Sequence, residues 1–339
     1  MTRRKALKIA GVVAALMLIA SLLNYVRFRR DFARWQDHPP DHGRTAQIIG
    51  AELNYTLRGE GAPLIVMEGG LGTISSKWQP LAEKLSEYGT VLAYDRGDYG
   101  HSHTANYPRD PAAISRELEQ LMDIVGADSP VLYVGHSFGA NQILEHALNM
   151  DRTVIGVIMI DPAPVDSEAF FRSLLKDERL SSKARGLVES TLDQDSLFAM
   201  EFFGSSGLMY GLYSLLGGEP EYRSIVLTAS SADYYKALRS EIECSRTTYT
   251  EAEWEKLSAL PLVLITSNHE ALHEELEQDH GLTAQESTVI SDALHGGKLE
   301  YLPLFAHSRL AEAETGEHAV HLFEPELVIE AVDSLLSGK

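Results

Sequence analysis

The chain has 339 residues, 44% of them hydrophobic, with 29 Lys and Arg against 49 Asp and Glu, a formal net charge of −20. That length suits one large α/β domain with an insertion, or two domains, and the apolar fraction supports a sizeable core. So acidic a body repels nucleic acid, with no aromatic-basic patch to argue otherwise, and the single cysteine, Cys244, excludes an internal disulfide framework.

Charge is divided unevenly. Residues 1–35 carry eight Lys or Arg and one Asp, a net of +7, leaving −27 for residues 36–339. Thr2-Arg3-Arg4-Lys5-Ala6-Leu7-Lys8 is basic and resembles a twin-arginine export signal, with Ala6 where a bulky Phe is usual. Ile9 to Val26 is an apolar run of 18 residues interrupted by Gly11, Ser21 and Asn24, at the short end of what crosses a bilayer. In Leu18-Ile19-Ala20 a bulky residue occupies the −3 position of a signal cleavage site. The segment is therefore expected to be an uncleaved single-pass membrane anchor, a helix over about 9–26. Arg3, Arg4, Lys5 and Lys8 on one side are matched by Arg27, Arg29, Arg30 and Arg34 on the other, so flanking charge leaves its orientation open. An extracytoplasmic catalytic domain is the working expectation.

Residues 36–45, with Pro39, Pro40 and Gly43, read as a linker. Ile48-Ile49 and Leu53 to Leu57 look like strands, Gly59-Glu60-Gly61 like a turn, and Leu64 to Met67 like a buried strand running into Glu68-Gly69-Gly70-Leu71-Gly72. That glycine-rich loop lacks the spacings of nucleotide-binding loops. Trp78 to Tyr88 is helical, Val91 to Tyr94 is a strand, and Asp95-Arg96-Gly97-Asp98-Tyr99-Gly100-His101-Ser102 follows it. Pro111 to Val125 is a helix with Ile114, Leu118, Leu121, Met122 and Val125 on one face.

Val131-Leu132-Tyr133-Val134 then leads into Gly135-His136-Ser137-Phe138-Gly139 and a helical pattern from Ala140 to Met150. Strand, G-x-S-x-G and helix is the context of a nucleophile elbow. The serine must sit on a sharp, strained turn, and glycines two positions away remove side chains that would collide. Val154 to Ile160 is a further strand, ending in Asp161-Pro162. Between about Ala163 and Ser258 helical stretches dominate, including the apolar, glycine-spaced Phe202 to Tyr213, and the span 163–258 reads as a helical lid insertion. Leu262 to Ile265 resumes the sheet, Ser308 to Glu314 is a last strand, and Pro325 to Leu336 a closing helix. Apolar strands alternating with helices indicate a mostly parallel sheet covered on both faces.

From about residue 46 onward the chain resembles the α/β-hydrolase-fold serine hydrolases. The segments that carry the resemblance are Glu68-Gly69-Gly70, the Asp95 to Ser102 loop, Gly135 to Gly139, and Gly316-Glu317-His318 before Pro325-Glu326. It implies a core over 46–162 and 259–339, with Ser137 as nucleophile and His318 as base. His321 is the alternative base. Backbone N–H groups of Gly70 and Phe138 would form the oxyanion hole. Glu68 departs from the family's pattern, which often has His there. For the acid, Glu270, in Thr266-Ser267-Asn268-His269-Glu270, has the commonly used spacing; Asp161 is the alternative, and Asp292 an outside one. Ester hydrolysis through an acyl-enzyme is the leading expectation. Amide or peptide cleavage as in proline iminopeptidases, acyl transfer, and a catalytically silent binding scaffold are the alternatives. Ser at the elbow argues against epoxide hydrolase and haloalkane dehalogenase chemistry, where Asp stands. The apolar insertion suggests a small-molecule substrate with an apolar acyl or alcohol part. Neither a cofactor nor a metal is expected, since no nucleotide fingerprint or metal-ligand cluster is legible.

Overall fold

A computed structural model describes residues 3–38, 43–126, 128–190, 200–201, 204–216, 218, 222–245 and 248–338. The chain divides into two compact units, one of residues 1–41 with 194–239, the other of residues 42–193 with 240–339.

The larger unit is built on one sheet: β1 (Arg44–Ile48), β2 (Ala51–Arg58), β3 (Leu64–Glu68), β4 (Thr90–Tyr94), β5 (His103–Thr104), β6 (Val131–His136), β7 (Val154–Ile160), β8 (Pro261–Thr266) and β9 (His307–Glu312). Their spatial order is β1-β2-β4-β3-β6-β7-β8-β9, with β5 pairing off the path on β2. β1 and β2 form an antiparallel hairpin and β2 is antiparallel to β4, but every pairing from β4 to β9 is parallel. The mostly parallel sheet read from the apolar runs is therefore present. Alternate residues of one strand enter opposite cores, as the two-residue period of a strand requires. Leu64 and Val66 of β3 pack with Leu118 and Leu121 of α3 (Pro111–Ile124) and Ile143 of α4 (Phe138–Asn149). Ile65 and Met67 pack with Leu81 and Leu85 of α2 (Gln79–Leu85) and Val328 and Val332 of the helix Pro325–Ser337. Because these strands are parallel, their C-terminal ends share one edge of the sheet, and the loops leaving that edge carry the candidate chemistry.

Among the described residues no strand lies between Ile160 and Pro261. The span 163–258 is nevertheless shared between the units: residues 194–239 cluster with the N-terminal segment, and those on either side with the sheet.

The smaller unit contains α1 (Arg3–Gln36) and the helices Leu208–Leu215 and Arg223–Thr228. Phe28, Phe32 and Trp35 bury against Tyr210 and Leu227. The glycine spacing of this stretch has a packing cause. A Cβ on Gly207 would lie 2.8 Å from the Phe28 ring and one on Gly211 2.7 Å from Asn24, so the two glycines admit α1 to close contact. Asn24 Nδ2 donates to the Gly207 carbonyl at 2.9 Å, and the Tyr210 hydroxyl to Asp31 Oδ2 at 2.6 Å.

The expected membrane anchor, and the localisation built on it, need correction: no helix among the described residues is long and apolar enough to cross a membrane. The helix that carries the apolar run begins at Arg3 and continues to Gln36, past Arg27, Arg29, Arg30 and Arg34. Its last turns spend their aromatic side chains on contacts within the unit, including Phe28 at 1% exposure.

Candidate active site

Ser137 stands alone between β6 and α4, with φ 54° and ψ −123°. A non-glycine residue at positive φ is strained and persists only where its surroundings hold it. Here the Ser137 N–H donates to the Ile160 carbonyl at 2.9 Å. Both flanking glycines are required by close approach. A Cβ on Gly135 would come within 2.4 Å of the Gly139 carbonyl oxygen, and one on Gly139 within 2.4 Å of the Glu68 oxygen and 2.5 Å of the Gly69 oxygen. The tight turn leaves Ser137 at the start of α4, whose first N–H groups have no partner within the helix.

Two side chains from distant parts of the chain complete a hydrogen-bonded line with this serine. His318 Nε2 is 2.8 Å from Ser137 Oγ, and His318 Nδ1 is 2.6 Å from Asp161 Oδ2. His318 lies between β9 and the short helix Val320–Phe323, where the sequence places it. His136 Nε2 donates to the His318 carbonyl oxygen at 2.9 Å and so fixes the backbone of that loop. Burial, and then the charge of His318, push the His136 imidazole down to about 4, so it is neutral at ordinary pH. His321, the alternative base, is turned away: it is buried and stacked on Trp78 with ring centroids 4.2 Å apart. Burial and the adjacent His136 and His318 push it down to about 2.

The partner of His318 is Asp161, not Glu270. Asp161 follows β7 with φ 46°, and its N–H donates to the Ile265 carbonyl of the neighbouring strand at 2.7 Å. While Oδ2 faces His318, Oδ1 accepts from Lys298 Nζ at 2.5 Å, from the Ser267 N–H at 2.9 Å and from the Ser267 hydroxyl at 3.0 Å. Burial opposes the charged carboxylate, but the hydrogen bond with His318 and the Lys298 charge outweigh it and hold Asp161 far below the ordinary carboxylate range. Glu270 is in the first turn of the helix His269–Gln278, whose N-cap is Asn268, and helical geometry turns its side chain to solvent. Asp292 is exposed on the helix Ala284–Leu299.

On the other side of the serine, a Cβ on Gly70 would lie 3.3 Å from Ser137 Cβ, so this backbone passes directly beside Ser137. The peptide is oriented by Arg96. Its Nη1 donates to the Gly69 carbonyl at 2.6 Å and its Nη2 to the Gly70 carbonyl at 2.9 Å. In a trans peptide the N–H opposes the carbonyl, so holding the Gly69 oxygen aims the Gly70 N–H away from Arg96. The guanidinium is buried and also binds Glu68 at 2.7 Å and Glu241 at 3.0 Å. Glu241 accepts from the Tyr99 hydroxyl at 2.7 Å, and Glu68 is met by Tyr94 and by His146 Nε2 at 3.0 Å. Burial pushes the Glu68 carboxyl up, but the His146 hydrogen bond and the Arg96 charge prevail and hold it below its ordinary value. The unusual Glu68 is thus one of two anions, with Glu241, that keep Arg96 in place beneath the glycine loop.

Sequence reasoning missed His136, Lys298, Ser267 and the Glu68–Arg96–Glu241 network. His136 and Arg96 lay inside motifs already singled out, while Lys298 is 137 residues from its partner, with no local signal.

A family model described as alpha/beta hydrolase family matches residues 65–331, most of the chain. The chain belongs to the alpha/beta hydrolase family. An uncharacterized protein of Bacillus subtilis, YqjL, is 30% identical to this hydrolase-family chain over 146 residues, 43% of this chain and 57% of that protein. An AB hydrolase superfamily protein of Gibberella zeae is 24% identical over 291 residues, covering 78% of this chain and 84% of its own. Among solved structures, the enol-lactonase from Burkholderia xenovorans superposes with TM-score 0.55 at 20% identity, covering 87% of this chain and 100% of its own. A thermophilic esterase from Thermogutta terrifontis superposes with TM-score 0.58 at 15% identity, covering 87% and 98%. At such identities the structural likeness speaks to fold alone.

Proposed function

We propose that this member of the alpha/beta hydrolase family is a serine hydrolase of small-molecule carboxylic esters, working through an acyl-enzyme on Ser137. One observation carries the reading: the unbroken hydrogen-bonded line Ser137 Oγ, His318, Asp161. In this proposal His318 Nε2 takes the Ser137 proton as Oγ attacks the carbonyl carbon. Asp161, ionised through its contacts with Lys298 and Ser267, holds the imidazole in the tautomer whose Nε2 is free to accept, and stabilises the imidazolium that forms. The N–H groups of Phe138, at the start of α4, and of Gly70 stabilise the oxyanion. His318 then gives its proton to the departing alkoxide, and in the second half activates the water that releases the acid. His318 has a side-chain exposure of 58%, which gives water access to the acyl-enzyme and favours hydrolysis over transfer to another acceptor.

The test is turnover of a chain-length series of p-nitrophenyl esters by the wild-type chain and its Ser137→Ala partner, with the p-nitroanilides alongside. Serine-dependent ester cleavage is the expected result, and the preferred length measures the acyl pocket. Full turnover by Ser137→Ala, or anilide cleavage faster than ester cleavage, would contradict the proposal.

A further inference from the structure

A second constellation, sharing no residue with the Ser137 line, joins three elements. His269 opens the helix His269–Gln278, His295 lies on the helix Ala284–Leu299, and Glu312 ends β9 beside Thr266 of β8. His269 Nδ1 is 3.1 Å from Glu312 Oε1, and the two imidazole rings face each other with centroids 4.6 Å apart and planes 31° apart. One ligand atom from each of the three residues lies within 4.8 Å of the others. His295 Nδ1 is buried and has no hydrogen-bond partner among the described residues. A buried ring nitrogen left in that state costs free energy, and it asks for a ligand.

The geometry points to a divalent transition-metal site of the Zn²⁺ class, held by His269, His295 and Glu312 and completed by water. Two imidazoles and one carboxylate are borderline donors: they suit Zn²⁺ and its neighbours, while Ca²⁺ and Mg²⁺ prefer an all-oxygen shell. One carboxylate and two neutral imidazoles bring a single negative charge to the ion. The His269 and Glu312 side chains are each 35% exposed, so water can reach the remaining position. Closing the ligand atoms from 4.8 Å to the spacing of a tetrahedral shell takes side-chain rotation, since all three sit at element ends or on an accessible helix face.

The position gives the site a role. His269 follows Ser267 by two residues and His295 precedes Lys298 by one helical turn, and Ser267 and Lys298 are the residues that grip Asp161 Oδ1. An ion here staples together the elements that support that carboxylate. It takes no part in the acyl-transfer step, so the site stands or falls independently of the esterase reading.

The experiment is equilibrium dialysis of the full chain, stripped with chelator, against Zn²⁺, with metal quantified per chain and thermal melting recorded on the same samples. The expected result is one Zn²⁺ per chain and a raised Tm, with both lost in His295→Gln and in the more exposed Glu312→Gln, and both kept in His318→Gln. Co²⁺ in place of Zn²⁺ should give a visible d–d band that His295→Gln abolishes. No retained metal in the wild type, retention undiminished in both His295→Gln and Glu312→Gln, or loss in His318→Gln instead, would overturn the assignment.

Discussion

The two flanks of Ser137 both rest on buried charge, but they use it differently. On the Asp161 flank, Lys298 and Ser267 hold one oxygen of Asp161 and the other oxygen faces His318, so an ionic group touches the hydrogen-bonded line directly. On the Gly70 flank, Arg96 and its carboxylate partners stay under the backbone. What they deliver is the orientation of the Gly69–Gly70 peptide. In the proposed mechanism, a charge that must respond to proton transfer is placed in contact with the base. A charge that must only fix a dipole is kept out of the reaction's way. Loss of a group on the first flank should therefore appear mainly in kcat, and loss on the second in both stability and kcat.

The largest expected effect is the removal of the acid. Asp161→Asn should lower kcat/KM by about 10⁴-fold, since the base then sits in the wrong tautomer, while the fold is retained. On the opposite flank, Arg96→Met removes the cation that Glu68 and Glu241 share and leaves Glu241 only Arg109, at 3.9 Å. Chemical denaturation should show a loss of about 3–5 kcal/mol. Arg96→Lys restores the charge without the fork that spans the two carbonyls, and kcat should still fall by about 10²-fold, the scale of one oxyanion donor. If Arg96→Lys were fully active, the carbonyl grip would have no part in activity and the contrast between the flanks would collapse.

Lys298→Met should have an intermediate effect. Asp161 keeps Ser267 and His318 but loses its buried cation, and kcat should fall by about one to two orders of magnitude with little change in KM. A smaller effect is expected from pH. Asp161 and Glu68 both have carboxyls lowered in the folded state. Their contribution to stability is fully present above the unfolded carboxyl values of about 4, and is lost as pH falls through the lowered native values. Thermal melts from pH 7 downward should hold Tm through the range above about 4 and fall below it, more weakly in Lys298→Met.

Much of this fold was legible because buried parallel strands are apolar throughout, and Leu64 to Met67, Val131 to Val134 and Leu262 to Ile265 all became strands. The elbow was legible because close packing permits only glycine at 135 and 139. The acid was not. Spacing along the chain favoured Glu270, but a carboxylate's direction depends on the backbone that carries it. Asn268 caps a helix and sends Glu270 outward, whereas a left-handed Asp161 is aimed at His318. The membrane anchor rests on an 18-residue apolar run at the lower limit of a span, and no helix among the described residues is long and apolar enough to cross a membrane. Glu68 departs from the family's pattern at the oxyanion loop, and what it does there depends on Arg96, Tyr94 and His146, which meet it only in three dimensions.

The most direct test of the account compares Asp161→Asn with Glu270→Gln on one p-nitrophenyl ester at one pH. The account predicts a loss of about 10⁴-fold in kcat/KM for Asp161→Asn, and activity within about twofold of wild type for Glu270→Gln. A collapse of activity in Glu270→Gln with Asp161→Asn left active would contradict it.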